Sequence, residues 1–269
     1  MGAQTRPPFR RRKLGKRLRG MREAARMNLD VAAARLDKTR SSLQRMEAGE
    51  TRVDVHLARS MMDLYDVFDA GLVDEVRRSL KPGWWVAHGV RDMGYLDLET
   101  EACLVREFAG LTVPGLLQTE PYVRALLSSG SLERTPEELD TQVVVRLHRQ
   151  RRLGADLDLI ALVDEAALRR QVGGPEVMRA QLEHLAATDV DLRVLPLSRP
   201  HSGLEGGFIV LSFPEPGDDD MLYVAHAAGS VHIEAPADVN AATLKFGVLC
   251  SEALSRAEST ALIEGLLRE

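Results

Sequence analysis

Residues 29–50, LDVAAARLDKTRSSLQRMEAGE, decide how the first part of the chain folds. Asn28 stands ahead of the stretch and can accept the orphan N–H groups of a helix's first turn. Ala32, Ala33 and Leu36 then give that helix a thin apolar stripe that lets a neighbour approach closely. The chain must turn within about three residues after Leu36, and Thr39 is placed to cap a second helix whose Leu43 and Met46 face back toward Leu36. Two helices joined by such a turn predict a helix-turn-helix. Side chains reach outward only if they leave the packed face, which singles out Arg40, Ser41, Ser42, Gln44 and Arg45.

Working outward, Leu14, Leu18, Met21 and Ala25 recur at spacings of four, three and four, an amphipathic helix with Arg17, Arg19, Arg22 and Arg26 on its other faces. Leu57, Met61 and Leu64 predict a fourth helix, and Val73, Val76 and Leu80 a fifth. Residues 1–52 hold 15 Lys and Arg against 5 Asp and Glu, whereas the whole 269-residue chain carries −5. A basic head on an acidic body suits a nucleic-acid partner better than a uniformly acidic enzyme would. Arg can take the O6 and N7 acceptors of guanine together, and Gln can pair similarly with adenine. Gln44 and its neighbours are therefore candidates for base contact in duplex DNA, and Arg12 and Arg52 for phosphate contact. A basic arm on an unrelated domain, or a solvated helix face, is the plainer alternative.

Lys81-Pro82-Gly83 breaks the helical pattern and Trp84-Trp85 follows, which reads as a linker tied down by aromatic burial, the pair docking on the body. The organisation predicted is a flexible basic arm over 1–10, a helical head over 11–80, the linker with its Trp pair over 81–94, and a mixed α/β domain over 95–269. In the body, residues 136–153 predict a charged helix with Val143, Val144 and Leu147 toward the core and Arg146, Arg149 and Gln150 on its flanks. LDLIALVD (157–164) suits a buried strand, VDLRVLPL, GGFIVLSF and MLYVAHA suit three more, and VHIEA a further one. A short helix from Glu165, another restarting at Pro175 with Met178, Leu182 and Leu185 inward, and closing helices over 237–268 complete the pattern.

The run from Arg11 to about Leu80 resembles the five-helix XRE or lambda-repressor-like domain of bacterial regulators. Leu14, Ala33, Leu36, Leu43, Met46, Glu47 and Gly49 stand where that family places core residues and the Glu-x-Gly ending of its recognition helix. Asp37 occupies the turn where Gly is usual, and Asp tolerates the left-handed conformation better than most residues. Leu29 stands where a phosphate-touching Gln is common. The body resembles the C-terminal domain of unknown function of WhiJ-like XRE regulators of actinobacteria. That likeness rests on Val113 to Thr119 with Tyr122, then Arg146, Arg149-Gln150, Asp164-Glu165, Leu168, Gly173, Gln181-Leu182, Val194-Leu195-Pro196, His201, Gly207-Phe208 and Tyr223-Val224. Ala225 departs, since an acidic residue is expected after the Tyr-Val pair. The resemblance implies a transcription regulator, often paired with a small protein encoded by a neighbouring gene in a toxin–antitoxin-like arrangement.

Enzyme signatures are absent from the sequence: no G-x-S-x-G elbow, P-loop, dinucleotide-binding glycine pattern or H-E-x-x-H. No catalytic residue, metal or cofactor is predicted. Asp164 and Glu165 are adjacent and point apart, and His184, His201, His226 and His232 lack metal-ligand spacing, although His226 and His232 could meet across a hairpin. Candidates for a partner or ligand in the body are Gln118, Tyr122, Arg146, Arg149, Gln150 and His201. Two cysteines in apolar stretches, Cys103 and Cys250, and no signal peptide or membrane-length apolar run predict a cytoplasmic protein with no membrane role. The reading that follows is a sequence-specific DNA-binding regulator that dimerises and senses an effector through its body. The alternative is an antitoxin-like protein whose body binds a small protein and whose DNA binding tunes its own operon.

Overall fold

A computed structural model describes residues 7–90, 94–130, 133–214 and 218–269. The chain divides into two compact units, Met1–Ala87 with Arg91–Glu101, and His88–Val90 with Ala102–Glu269.

The first unit is helical: α1 (Phe9–Ala24), α2 (Leu29–Arg35), α3 (Arg40–Glu47), α4 (Val55–Tyr65), α5 (Ala70–Leu80) and α6 (Tyr95–Glu101). The side chains of Asn28, Thr39, Asp54 and Asp69 cap α2 to α5 by accepting first-turn N–H groups. That chemistry explains why these short helices start where they do. Leu14, Leu18, Leu36, Leu43, Met61, Leu72 and Val76 meet in one core. Gly15 and Gly49 bring α1 against the end of α3. A Cβ on Gly15 would stand 2.5 Å from the Glu47 carbonyl oxygen, and one on Gly49, where φ is +73°, would stand 2.7 Å from the Arg12 Cα. Asp37 takes the left-handed conformation expected of it, with φ +52°.

Two boundaries differ from the sequence reading. Phe9 and Arg10 belong to α1, and Phe9 is buried with its N–H donated to the Asp97 carboxylate, so the segment predicted as a flexible arm is helical from Phe9 on. Residues 1–6 of that predicted arm lie outside the described residues. Residues 95–101, assigned to the body, form α6 of the first unit, where Arg10 donates to Glu101 at 2.6 Å. The Trp pair lies here too. Trp84 Nε1 donates to Thr100 Oγ1 at 3.1 Å, and the two rings meet edge to face.

The second unit is a mixed α/β fold with α7 (Glu120–Ser128), α8 (Pro136–Gln150), α9 (Glu165–Arg169), α10 (Pro175–Ala186), α11 (Pro236–Glu252) and α12 (Arg256–Leu266). Its strands are β1 (Leu104–Ala109), β2 (Asp158–Asp164), β3 (Asp191–Leu195), β4 (Phe208–Ser212), β5 (Met221–His226) and β6 (Gly229–Ile233), in the order β3-β2-β1-β4-β5-β6. β1, β2 and β3 run parallel, with Phe108 beside Leu162, and β4 to β6 continue the sheet antiparallel. On one face, Phe108, Leu162, Val210 and Leu222 pack with Val239, Phe246 and Leu249 of α11. In α8 it is Val145, not Val144, that is buried with Val143, and Arg149 is buried rather than flanking. Three successive valines satisfy more than one helical phase, so apolarity alone does not choose between them. His226 and His232, which could have met across the hairpin, are not cross-strand partners. The hairpin register sets His226 opposite Gly229 and stacks His232 against Tyr223, ring centroids 5.2 Å apart.

Candidate nucleic-acid interface

The helix-turn-helix is held from behind. Arg22 of α1 grips Glu47 at the end of α3 with two hydrogen bonds, Nε to Oε1 at 2.7 Å and Nη2 to Oε2 at 2.9 Å, while Nη1 donates to the Met27 carbonyl at 2.8 Å. The side chains of Arg22 and Glu47 are only 9% and 6% exposed, and the carboxylate raises the guanidinium's affinity for its proton. A paired buried charge fixes the tilt of α3 against α1, because either partner alone would be left uncompensated.

The sequence placed Arg17 and Arg22 among the open basic faces of α1. The structure commits both inward, since Arg17 bonds the carboxylates of Asp69 and Glu75 and Arg22 is locked as described. Arg19 pairs with Glu23 on the surface at 2.7 Å. Much of the positive charge of α1 is thus neutralised within the fold.

The outward face of α3 is different. Leu43 is fully buried, while Arg40, Ser41, Gln44 and Arg45 are exposed and Ser42 is half-buried. Thr39 holds the first turn through Ser42 N at 3.2 Å, and Arg40 makes a loose, exposed pair with Asp30 at 3.4 Å. The side chains of Gln44 and Arg45 bond to no described residue. They sit adjacent in sequence and one helical turn from Arg40 and Ser41, which gives one continuous polar strip. Of the predicted phosphate contacts, Arg52 is exposed just beyond α3, whereas Arg12 donates to the Pro7 carbonyl at 3.1 Å and lies 5.5 Å over the Phe9 ring.

In the second unit the residues predicted to meet a partner are engaged within the fold, most of them with the backbone. Gln118 is buried and donates to the Val113 carbonyl at 2.7 Å, and the Tyr122 hydroxyl accepts from Val113 N at 3.2 Å. Gln150 Nε2 donates to the Gln118 carbonyl at 2.7 Å, and Arg146 donates to Gln118 Oε1 at 3.3 Å. Gln181, 0% exposed, completes the set by accepting from Thr119 N and donating to the Leu117 carbonyl, both at 2.7 Å. These side chains, with buried Arg149 beside them, hold residues 113–119, whose irregular backbone cannot satisfy itself. His201 is likewise internal. Its Nδ1 accepts from Gly203 N at 3.1 Å, so Nε2 carries the proton and donates to Asp164 at 2.9 Å. Asp164 also caps α9, and Glu165 accepts from Leu197 N at 2.9 Å, which gives both carboxylates structural partners.

Among the described residues no helix is long and apolar enough to cross a membrane. A family model described as a helix-turn-helix domain matches residues 13–76, the span of α1 to α5. No curated protein and no solved structure matches the chain. A second model, described as a domain of unknown function (DUF5753), matches residues 93–265. That match covers more than half of the chain, so the protein belongs to the DUF5753 family, with a helix-turn-helix domain of the kind found in DNA-binding regulators ahead of that domain.

Proposed function

We propose that the protein is a sequence-specific DNA-binding transcriptional regulator of the cytoplasm, close to the WhiJ-like regulators, whose α3 enters the major groove. The observation that carries this reading is the polar strip of Arg40, Ser41, Gln44 and Arg45 on a helix whose opposite side is locked by Arg22 and Glu47. Gln and Arg are the side chains that address adenine and guanine edges bidentately, each good pair discriminating by about 1–3 kcal/mol. Gln44 and Arg45 have no partners among the described residues, so their donors are open to the bases. Arg52 holds a phosphate and sets register.

The body works by binding and not by catalysis in this reading: it joins two copies and takes an effector or a partner protein. Two heads about 34 Å apart, one turn of the duplex, would then read a pseudo-palindrome. Fluorescence anisotropy on the DNA upstream of the protein's own gene and on scrambled DNA, at two salt concentrations, tests the proposal. A preference of about a thousandfold is expected. Equal, salt-sensitive binding to both DNAs would reduce the head to electrostatic affinity.

A further inference from the structure

A cavity of about 460 Å³ opens within the first unit, where the start of α1, the segment after α3, the end of α5 and the turn at Trp85 converge. Arg11, Arg52 and Lys81 line it, and so does Arg10, which is already paired with Glu101. The rest of the wall is largely apolar, from Leu80, Pro82, Val86 and the Trp85 ring.

Three features set this cavity apart from a solvated cleft. Among the described residues Arg11 has one weak hydrogen bond, Nη1 to the Glu50 carbonyl at 3.5 Å, and burial together with the neighbouring Arg52 guanidinium pushes its pKa down. Two guanidiniums are thus held near each other with Asp97 as the acid at the wall, and Asp97 already accepts from Phe9 N and is itself pushed toward its neutral form by burial. The third is Trp85, 3% exposed, whose Nε1–H is buried and has no acceptor among the described residues. Gly83 permits this, because any Cβ there would overlap the six-membered part of the indole.

We infer that this cavity is a binding site for a small organic anion, its carboxylate or phosphate on Arg11, Arg52 and Lys81 and its apolar part against Trp85, Leu80 and Pro82. The volume falls within the range of small-molecule sites and exceeds what one phosphate group fills. The apolar wall has no role toward a phosphodiester, which favours a free ligand over the DNA backbone. Resting on the DNA-binding reading, such a ligand takes Arg52 away from phosphate and so weakens DNA binding. The site itself is testable without DNA, so the two ideas fail separately.

The chain's two tryptophans are Trp84 and Trp85, so its indole emission reports directly on this wall. Full-length protein would be titrated with phenyl phosphate, inorganic phosphate and benzyl alcohol while that emission is followed. Saturable binding of phenyl phosphate is expected, with phosphate and benzyl alcohol each about tenfold weaker or worse. Arg52→Gln and Lys81→Gln, both at exposed positions, should each weaken phenyl phosphate about tenfold, the loss of one charge-assisted hydrogen bond. Trp85→Phe keeps an aromatic ring but removes the indole nitrogen and part of the apolar wall. It should weaken binding, read through Trp84, in protein whose thermal melt shows that it stays folded. A response that never saturates, equal affinity in all three variants, or benzyl alcohol bound as well as phenyl phosphate would overturn the assignment. Inorganic phosphate bound as tightly as phenyl phosphate would overturn it in favour of a backbone-phosphate contact, and DNA would then displace it.

Discussion

The outward face of α3 and the side chains gathered around segment 113–119 of the second unit are the same kinds of residue, glutamine and arginine beside hydroxyls, yet they are used in opposite ways. α3 satisfies its own backbone through helical hydrogen bonds and a Thr39 cap, so Gln44 and Arg45 remain without partners among the described residues. Segment 113–119 is buried and irregular, with only the 3₁₀ turn Gly115–Leu117 inside it, so Gln118, Gln150, Gln181 and Tyr122 are drawn in to meet its carbonyl and N–H groups. What frees a polar side chain for a ligand is therefore the state of the backbone around it. Composition alone does not distinguish the two.

The largest effect is expected behind α3. Arg22→Ala leaves Glu47 buried and uncompensated and is expected to destabilise the head by about 3–5 kcal/mol in urea unfolding, the range for severing a buried ion pair. Replacing both residues by Met should recover part of that loss. A small effect of the single substitution would mean that α3 is held by packing alone. Gln181→Ala strips partners from Thr119 N and the Leu117 carbonyl and should destabilise the second unit by about 2–4 kcal/mol, since each orphaned buried group costs about 1–3 kcal/mol. On the exposed strip the expectation reverses. Gln44→Ala should leave unfolding within about 0.5 kcal/mol of the parent while weakening specific DNA binding by about 1–3 kcal/mol. Anisotropy and thermal melts on the same preparation separate the two readouts.

The smallest effect concerns Tyr65, whose buried hydroxyl has no partner among the described residues and whose pKa is raised to about 12, first by desolvation and then by the Glu47 carboxylate. The folded head keeps this proton between pH 10 and 12 while the unfolded chain releases it, so stability falls across that window. Tyr65→Phe should match or slightly exceed the parent at neutral pH and lose less stability between pH 10 and 12. Parallel curves for the two proteins would contradict the enclosure of the hydroxyl.

Much of this was legible in the residues and some of it was not. Caps at Asn28 and Thr39, the five helices of the head and strands β2 to β6 of the body follow from local chemistry and periodicity, which act within a few residues, while the left-handed Asp37 is what the family resemblance implies. Pairings of long charged side chains do not. Nothing near Arg22 or Arg17 in sequence announces Glu47, Asp69 or Glu75, which come from other helices, so both arginines read as open basic surface. The same holds for α6. Asp97 and Glu101 join the first unit through Phe9 and Arg10, about ninety residues earlier, a link that no periodicity shows. The backbone bonds of Gln118 and Tyr122 were hidden for the complementary reason, because main-chain need is invisible in residue type.

The most direct test of the contrast puts both regions into one assay. Specific and scrambled DNA would be titrated with Gln44→Ala/Arg45→Ala and with Gln118→Ala/Gln150→Ala, each variant's melting temperature being recorded alongside. The first variant is expected to lose its preference for specific DNA at an unchanged melting temperature, while the second melts lower and keeps its preference wherever it remains folded. Full preference retained by the first variant, or lost by a folded second variant, would contradict the claim that α3 is the reading surface.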